Sequence, residues 1–207
     1  MAFRGKVVLI TGASSGIGAA TAERFAELGA SLALTGRNKA TLKIVASKCK
    51  QVNGLDSFLL IGDVTNEEDV KNLAKSVFGH FKRLGVLVNN AGILERNSIE
   101  NDSSLAVYDK VMNTNLRSVY HLTTSLVPYL IEAKGSIVNV SSIVGLHPFS
   151  NRLAYCISKA ALGHFTRCVA LELAPSLLAR NAMAFATSSD EPRRPKGVIS
   201  FLASRNS

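Results

Sequence analysis

Val7-Val8-Leu9-Ile10-Thr11-Gly12-Ala13-Ser14-Ser15-Gly16-Ile17-Gly18 is the stretch that decides the fold. Its four leading apolar residues read as a short strand buried on both faces. Residues 16–28 then place Ile17, Ala20, Phe25 and Leu28 at helical spacing, and Gly29 is a stop signal. Strand, glycine-rich turn and helix in that order open a βαβ unit. The backbone N–H groups of such a turn, with the positive end of the helix behind them, suit a pyrophosphate. The glycines are spaced G-x3-G-x-G rather than G-x-G-x2-G, yet their place in the unit favours a dinucleotide. Gly12, Ser14, Ser15, Gly16, Ile17 and Gly18 are the expected cradle.

Outward from this unit the pattern repeats. Residues 31–35, 57–61, 86–89 and 136–140 read as strands; residues 39–49, 66–81 and 153–173 read as helices. Thr65 and Glu68 have the spacing of a capping box. A long helical stretch runs from about Ser104 to Ile131, with Pro128 a candidate kink. Such alternation predicts an α/β fold, a Rossmann-type doubly wound parallel sheet in one domain. Ligands then bind beyond the carboxyl ends of the strands.

Composition narrows the function. With 207 residues, 47% hydrophobic and 19% charged, the chain has enough apolar material for a full core. It holds no apolar run near the ~20 residues needed to span a bilayer, and Met1 to Lys6 leads straight into the first strand. A cytoplasmic protein without a membrane partner is the expectation. Cys49, Cys156 and Cys168 have no metal-ligand spacing, so no metal site is expected; Cys156 and Cys168 read as packing residues within one helix. The net charge of +9 is spread among acids, with one tight cluster at Arg193-Arg194-Pro195-Lys196. Anionic cofactors or substrates account for it better than nucleic acid does.

Two further stretches carry chemistry. Thr35-Gly36-Arg37 ends the second strand with no acid for a ribose hydroxyl, and Arg37 suits a 2′-phosphate, which favours NADP(H) over NAD(H). Tyr155-Cys156-Ile157-Ser158-Lys159 puts a phenol and an ammonium on one helix face, and Ser142 precedes the tyrosine by thirteen residues. A nearby cation favours the phenolate and makes tyrosine a usable acid/base near neutrality.

Taken together, residues 5–175 resemble the short-chain dehydrogenase/reductase family. The residues that match are the turn Thr11 to Gly18, Asp63-Val64, Asn89-Asn90-Ala91-Gly92, Asn115, Ser142, and Tyr155 with Lys159. The resemblance implies reversible hydride transfer between a nicotinamide and a small-molecule carbonyl or alcohol. It makes Tyr155 the proton donor, Ser142 the stabiliser of the carbonyl oxygen, and Lys159 the group that tunes Tyr155 and holds the nicotinamide ribose. Asn115 would help to hold a water linking Lys159 to solvent. Asp63 and Val64 would embrace adenine, and Asn90 and Gly92 would lie near the cofactor ribose. Homo-oligomer formation through the long helices is a further implication. The apolar loop after Ser142, with Ile143-Val144-Gly145-Leu146, favours a hydrophobic ketone, sterol or acyl substrate.

Past Pro175 the pattern departs from the family. No Pro-Gly turn follows, a sixth strand is not evident, and residues 176–207 read as a divergent, shortened tail with a short helix near 197–204. Residues 1–175 are then the dinucleotide-binding domain with its catalytic residues. A sheet lacking later strands would expose an edge. The alternative reading is a nucleotide-binding pseudoenzyme without a complete substrate pocket.

Overall fold

Short β-branched and leucine-rich runs become strands because both of their faces are covered. In the computed structural model, which describes residues 2–100, 105–174, 181–186 and 200–203, β1 (Val7–Thr11) is buried along its whole length. Val7 and Leu9 join a cluster with Leu73, Val77, Leu122, Leu126 and Ile137. Val8 and Ile10 point the other way, to Ala22, Ala26, Leu42 and Val45. This period of two makes one strand serve two cores. Each large side chain so buried contributes about 1.5–3 kcal/mol of transfer free energy.

The core around Val8 and Ile10 packs α1 (Gly16–Glu27) and α2 (Lys39–Asn53) on one face. The core around Val7 and Leu9 packs α3 (Glu67–Phe81) and, beyond α4 (Leu105–Met112), α5 (Ser118–Glu132) on the other. Between them run β2 (Ser31–Gly36), β3 (Phe58–Ile61), β4 (Val86–Asn89) and β5 (Ser136–Ser142), followed by α6 (Leu153–Leu173). The strands from β1 to β5 pair in parallel. Their order, β3-β2-β1-β4-β5, reverses direction between β1 and β4, the crevice where doubly wound sheets bind ligands.

Several expectations need correction. A sixth strand exists: β6 (Asn181–Ala186) pairs in parallel with β5, from Ile137 opposite Asn181 to Ser142 opposite Ala186. Its run of alanines lacks the β-branched signature of a strand, so only pairing with β5 reveals it. The edge of β5 is therefore covered. The helix expected near 197–204 is instead β7 (Ser200–Ala203), antiparallel to β6. Short apolar runs do not distinguish the two by period. The Arg193 to Lys196 cluster and the rest of the tail lie outside the described residues.

The helix cap before α3 is Asn66, whose Oδ1 accepts the Glu68 and Asp69 N–H groups at 2.9 and 3.1 Å. Thr65 is otherwise engaged: its N–H and hydroxyl donate to Asp63 Oδ1. The long helical stretch holds Pro128 inside α5, and its departure from α geometry falls at a π-helical turn, Asn113–Arg117. Cys168 is exposed, not packed; the buried thiol is Cys49, which faces the α1–α2 core. Among the described residues no helix is long and apolar enough to cross a membrane.

A buried polar ladder crosses the sheet beneath the site. Asn89 and Asn139 are register partners on β4 and β5, and Asn89 donates to Asn139 Oδ1 at 2.8 Å. Asn89 also donates to Thr123 on α5, and Asn139 to Thr166 on α6, at 3.2 and 2.9 Å. Every member is paired, so the ladder avoids the cost of orphaned buried amides and fixes both helices against the same two strands.

Candidate active site

The β1–α1 turn has the geometry of an anion cradle. Gly12 has φ +62, open to glycine at little cost. The α1 N-cap, Ser15, makes no side-chain capping bond, and the first turn of the helix carries no acid. Its leading N–H groups are thus free of a side-chain cap. Thr11, whose role the sequence did not signal, ties this turn to the next motif. Its buried hydroxyl accepts the N–H groups of Asn90 and Ala91 at 3.0 and 2.9 Å. Asn90 Nδ2 in return donates to the Thr11 and Gly12 carbonyls at 2.9 and 3.2 Å.

These elements border a cleft of about 760 Å³ along the carboxyl ends of the strands. Gly12, Ser14, Ser15 and Ile17 line it on the α1 side, and Arg37, Asp63 and Val64 line one end. Asn90, Gly92, Tyr155 and Lys159 are among the residues that line the remainder. Gly16, Gly18, Asn115 and Ser142 are not among its lining residues: Gly18, Asn115 and Ser142 are buried, and Gly16 is exposed. Asn89, quoted with the same motif as Asn90, is buried in the ladder instead.

At one end Arg37 reaches Asp63 at 3.6 Å, its side chain still 75% exposed. Burial works against the Asp63 carboxylate, but Thr65 and then Arg37 hold it below its ordinary range. At Gly36, Ser14 Oγ sits 2.5 Å from where a Cβ would be. The strand end therefore presents a hydroxyl and a guanidinium rather than an acid.

At the other end, Ser142 terminates β5 and Tyr155 and Lys159 occupy the first two turns of α6. The Ser142 hydroxyl, which accepts the Val144 N–H at 3.4 Å, lies near the Tyr155 phenol and favours its ionised form. Neighbouring Ser141 lines the cleft and donates to the Lys159 carbonyl at 3.2 Å. Lys159 Nζ lies 5.7 Å from the Tyr155 ring centroid and donates to the Val140 carbonyl at 2.8 Å. Burial pushes the phenol above its ordinary range; the Ser142 hydroxyl and the Arg152 charge draw it only part of the way back. The phenol thus sits above its ordinary range rather than below it as expected, with desolvation the largest cause and Lys159 not among the groups that draw it down.

Lys159 is itself pulled down to about 8 by desolvation. An unfolded lysine titrates near 10.4, so the unfolded chain binds more protons between these values. Stability from this group therefore rises with pH across that window. A Lys159→Met variant should be the more stable protein at pH 7. That advantage should shrink, by on the order of 3 kcal/mol, as pH rises from about 8 to about 10. Urea unfolding of both proteins across that range checks it; a constant difference would contradict it.

Asn115 sits in the π-turn, a feature that re-aims side chains at functional sites. Its amide takes the Ile93 N–H at 2.8 Å and donates to the Ile93 carbonyl and to Ser158 Oγ at 2.9 and 3.0 Å. Ser158 was visible only as filler between Tyr155 and Lys159; its hydroxyl donates to the Tyr155 carbonyl at 2.8 Å.

The doubly wound sheet, the glycine turn at its switch point and the Ser142–Tyr155–Lys159 cluster define a Rossmann-type oxidoreductase architecture. The chain belongs to the short chain dehydrogenase family, whose model matches residues 6–189. Among curated proteins it is similar to the 11-beta-hydroxysteroid dehydrogenase-like 2 of Arabidopsis thaliana, 38% identical over 173 residues. That match takes in 84% of this chain but 56% of the plant protein, so the chain spans just over half of that relative's length. Among solved structures it resembles a metagenomic short-chain oxidoreductase in complex with NADP, with a TM-score of 0.84 and 31% identity, over 91% of this chain and 85% of the other. It also resembles an NAD+-bound xylitol dehydrogenase, with a TM-score of 0.81 and 33% identity, over 85% of this chain and 68% of that one.

Proposed function

We propose that this protein is an NADP(H)-dependent oxidoreductase that interconverts a hydrophobic ketone and its alcohol. The observation that carries the reading is Tyr155 with Lys159 beside its ring, both lining one end of the cleft, and Ser142 at the adjoining end of β5. The cradle fits a dinucleotide: Gly18 leaves no room for a side chain against the Gly12 carbonyl, and the uncapped α1 N-terminus faces the same cleft. A bound nicotinamide supplies the hydride, or accepts it in the reverse direction.

The chain's own residues do the rest. Tyr155 gives its phenolic proton to the carbonyl oxygen in reduction and takes it back in oxidation. A phenol held above its ordinary range is kept protonated and ready to donate. Ser142 hydrogen-bonds the same oxygen as charge develops on it. Lys159 keeps a cation beside the phenolate left by donation, and would hold the nicotinamide ribose. Asp63 and Val64 would border adenine, with Asn90 and Gly92 nearer the ribose.

Preference for NADP(H) is supported by Arg37, Ser14 Oγ and the acid-free strand end, although Arg37 already has Asp63 as a partner. Replacing Arg37 by alanine should weaken NADPH binding about tenfold and leave NADH within about twofold, read by calorimetry. Leu146, Phe149 and Leu153 are exposed apolar side chains on the stretch from β5 into α6, as is Leu94 after β4, which favours an apolar substrate. The steroid dehydrogenase-like relative agrees with that class. Turnover assays with NADPH test the reading: aliphatic and steroid ketones should exceed sugars in kcat/KM by at least about tenfold. Equal rates, or a preference for sugars, would overturn the substrate class.

A further inference from the structure

The segment after β4 grips the first turn of α6 from two sides. Asn97, 8% exposed, donates its N–H to the Asn151 carbonyl at 3.2 Å and accepts the Leu153 N–H on its own carbonyl at 3.4 Å. Its side-chain Oδ1 accepts the Ala154 N–H at 3.1 Å. Helix α6 lacks a local cap. Asn151 is left-handed at φ +58, so the chain turns sharply into the helix, and the Arg152 side chain at the N-cap makes no capping bond. First-turn N–H groups need outside acceptors. Asn97 supplies, from a remote point in the chain, what an N-cap side chain ordinarily supplies locally.

The second hold runs through Asn115. Both polar ends of its amide are bonded to Ile93, and it donates to Ser158, which donates to the Tyr155 carbonyl. The Ala154 N–H and the Tyr155 carbonyl flank the tyrosine in the chain. Both are tied, directly or through two side chains, to residues 93–97.

We propose that Asn97 is a positioning residue that holds Tyr155 in its reactive pose through the Ala154 N–H, an inference that rests on the hydride-transfer reading above. Without that acceptor the first turn frays, and the phenol shifts relative to Ser142 while the rest of α6 stays anchored by Lys159. Misplacement of a reacting group by about 1 Å can cost on the order of a hundredfold in rate.

The experiment compares wild type with Asn97→Leu, Asn97→Ser and Asn97→Asp. Leucine removes the acceptor at similar volume, and serine is too short to reach Ala154. Aspartate keeps the acceptor oxygen. The leucine and serine variants should lose at least about tenfold in kcat, with ketone KM and NADPH affinity within about threefold of wild type. The aspartate variant should stay within about threefold on all counts. If the leucine variant fails to fold, the serine variant carries the same prediction.

A second readout does not depend on turnover. Ultraviolet difference titration, with Tyr155→Phe as the subtraction, follows the Tyr155 phenol directly. In the leucine and serine variants it should fall toward the ordinary value of about 10 as water reaches the loosened turn, and in the aspartate variant it should not. Wild-type kcat with an unshifted phenol in a folded leucine or serine variant would overturn the proposal. So would an aspartate variant as impaired as the leucine one. If wild type reduces no ketone, the hydride-transfer reading falls, and the phenol titration still decides whether Asn97 positions Tyr155.

Discussion

Tyr155→Phe should lower kcat for ketone reduction by about a thousandfold while leaving NADPH affinity within a few-fold of wild type. The substitution removes one oxygen and keeps the ring that packs at the mouth of α6. What is lost is the proton donor, and general acid catalysis of this kind is worth about 10²–10⁴ in rate. Ser142 would still hydrogen-bond the carbonyl oxygen, so some residual rate is expected from orientation alone. Stopped-flow or steady-state loss of NADPH, with urea unfolding to show intact stability, checks it. A rate unchanged by the substitution would remove Tyr155 from the chemistry and with it the proposed mechanism.

Gly18→Ala should be as severe on the cofactor side. An added Cβ would overlap the Gly12 carbonyl oxygen and come within 2.5 Å of Asn90 Nδ2. The Asn90 amide is not free to swing away, because it donates to the Thr11 and Gly12 carbonyls. Helix α1 must therefore move off the β1 turn. Overpacking of this sort costs about 1–3 kcal/mol of stability. It also displaces the N–H groups that would meet the pyrophosphate, so NADPH affinity should fall at least about a hundredfold by calorimetry. Gly79→Ala is the control: a Cβ added there, inside α3, would meet nothing within 4 Å, and the change should be neutral or stabilising by about 0.5–1 kcal/mol. Equal affinities for the two variants would show that close approach at Gly18 is not what shapes the cradle.

The contrast between these residues and others explains what could be read from the chain. Strands β1 to β5 were legible because each is a short, mostly apolar run bounded by turn signals, even where Asn139 interrupts β5. Their helices show period and stop residues just as plainly. Gly18 and Tyr155 were legible because their neighbours lie close in sequence, one in a turn and one four residues from Lys159. Asn97 and Ala154 meet only in space, so no spacing rule points to them. Thr11, Asn139 and Ser158 look like ordinary polar residues until the sheet register and the π-turn bring their partners within reach. Strand β6 was missed for a related reason, since its alanines carry no strand signal and β5 supplies the pairing. The phenol of Tyr155 lies above rather than below its ordinary range because burial, invisible in a helix-face argument, is the largest influence on it.

Calorimetric titration of the folded protein with NADPH, with NADH in parallel, tests the central claim most directly. Saturable binding of one NADPH per chain, tighter than NADH and lost in Gly18→Ala, is the expected result. Failure of the folded wild-type chain to bind either nucleotide would contradict the account, leaving the family's fold without a working cofactor site.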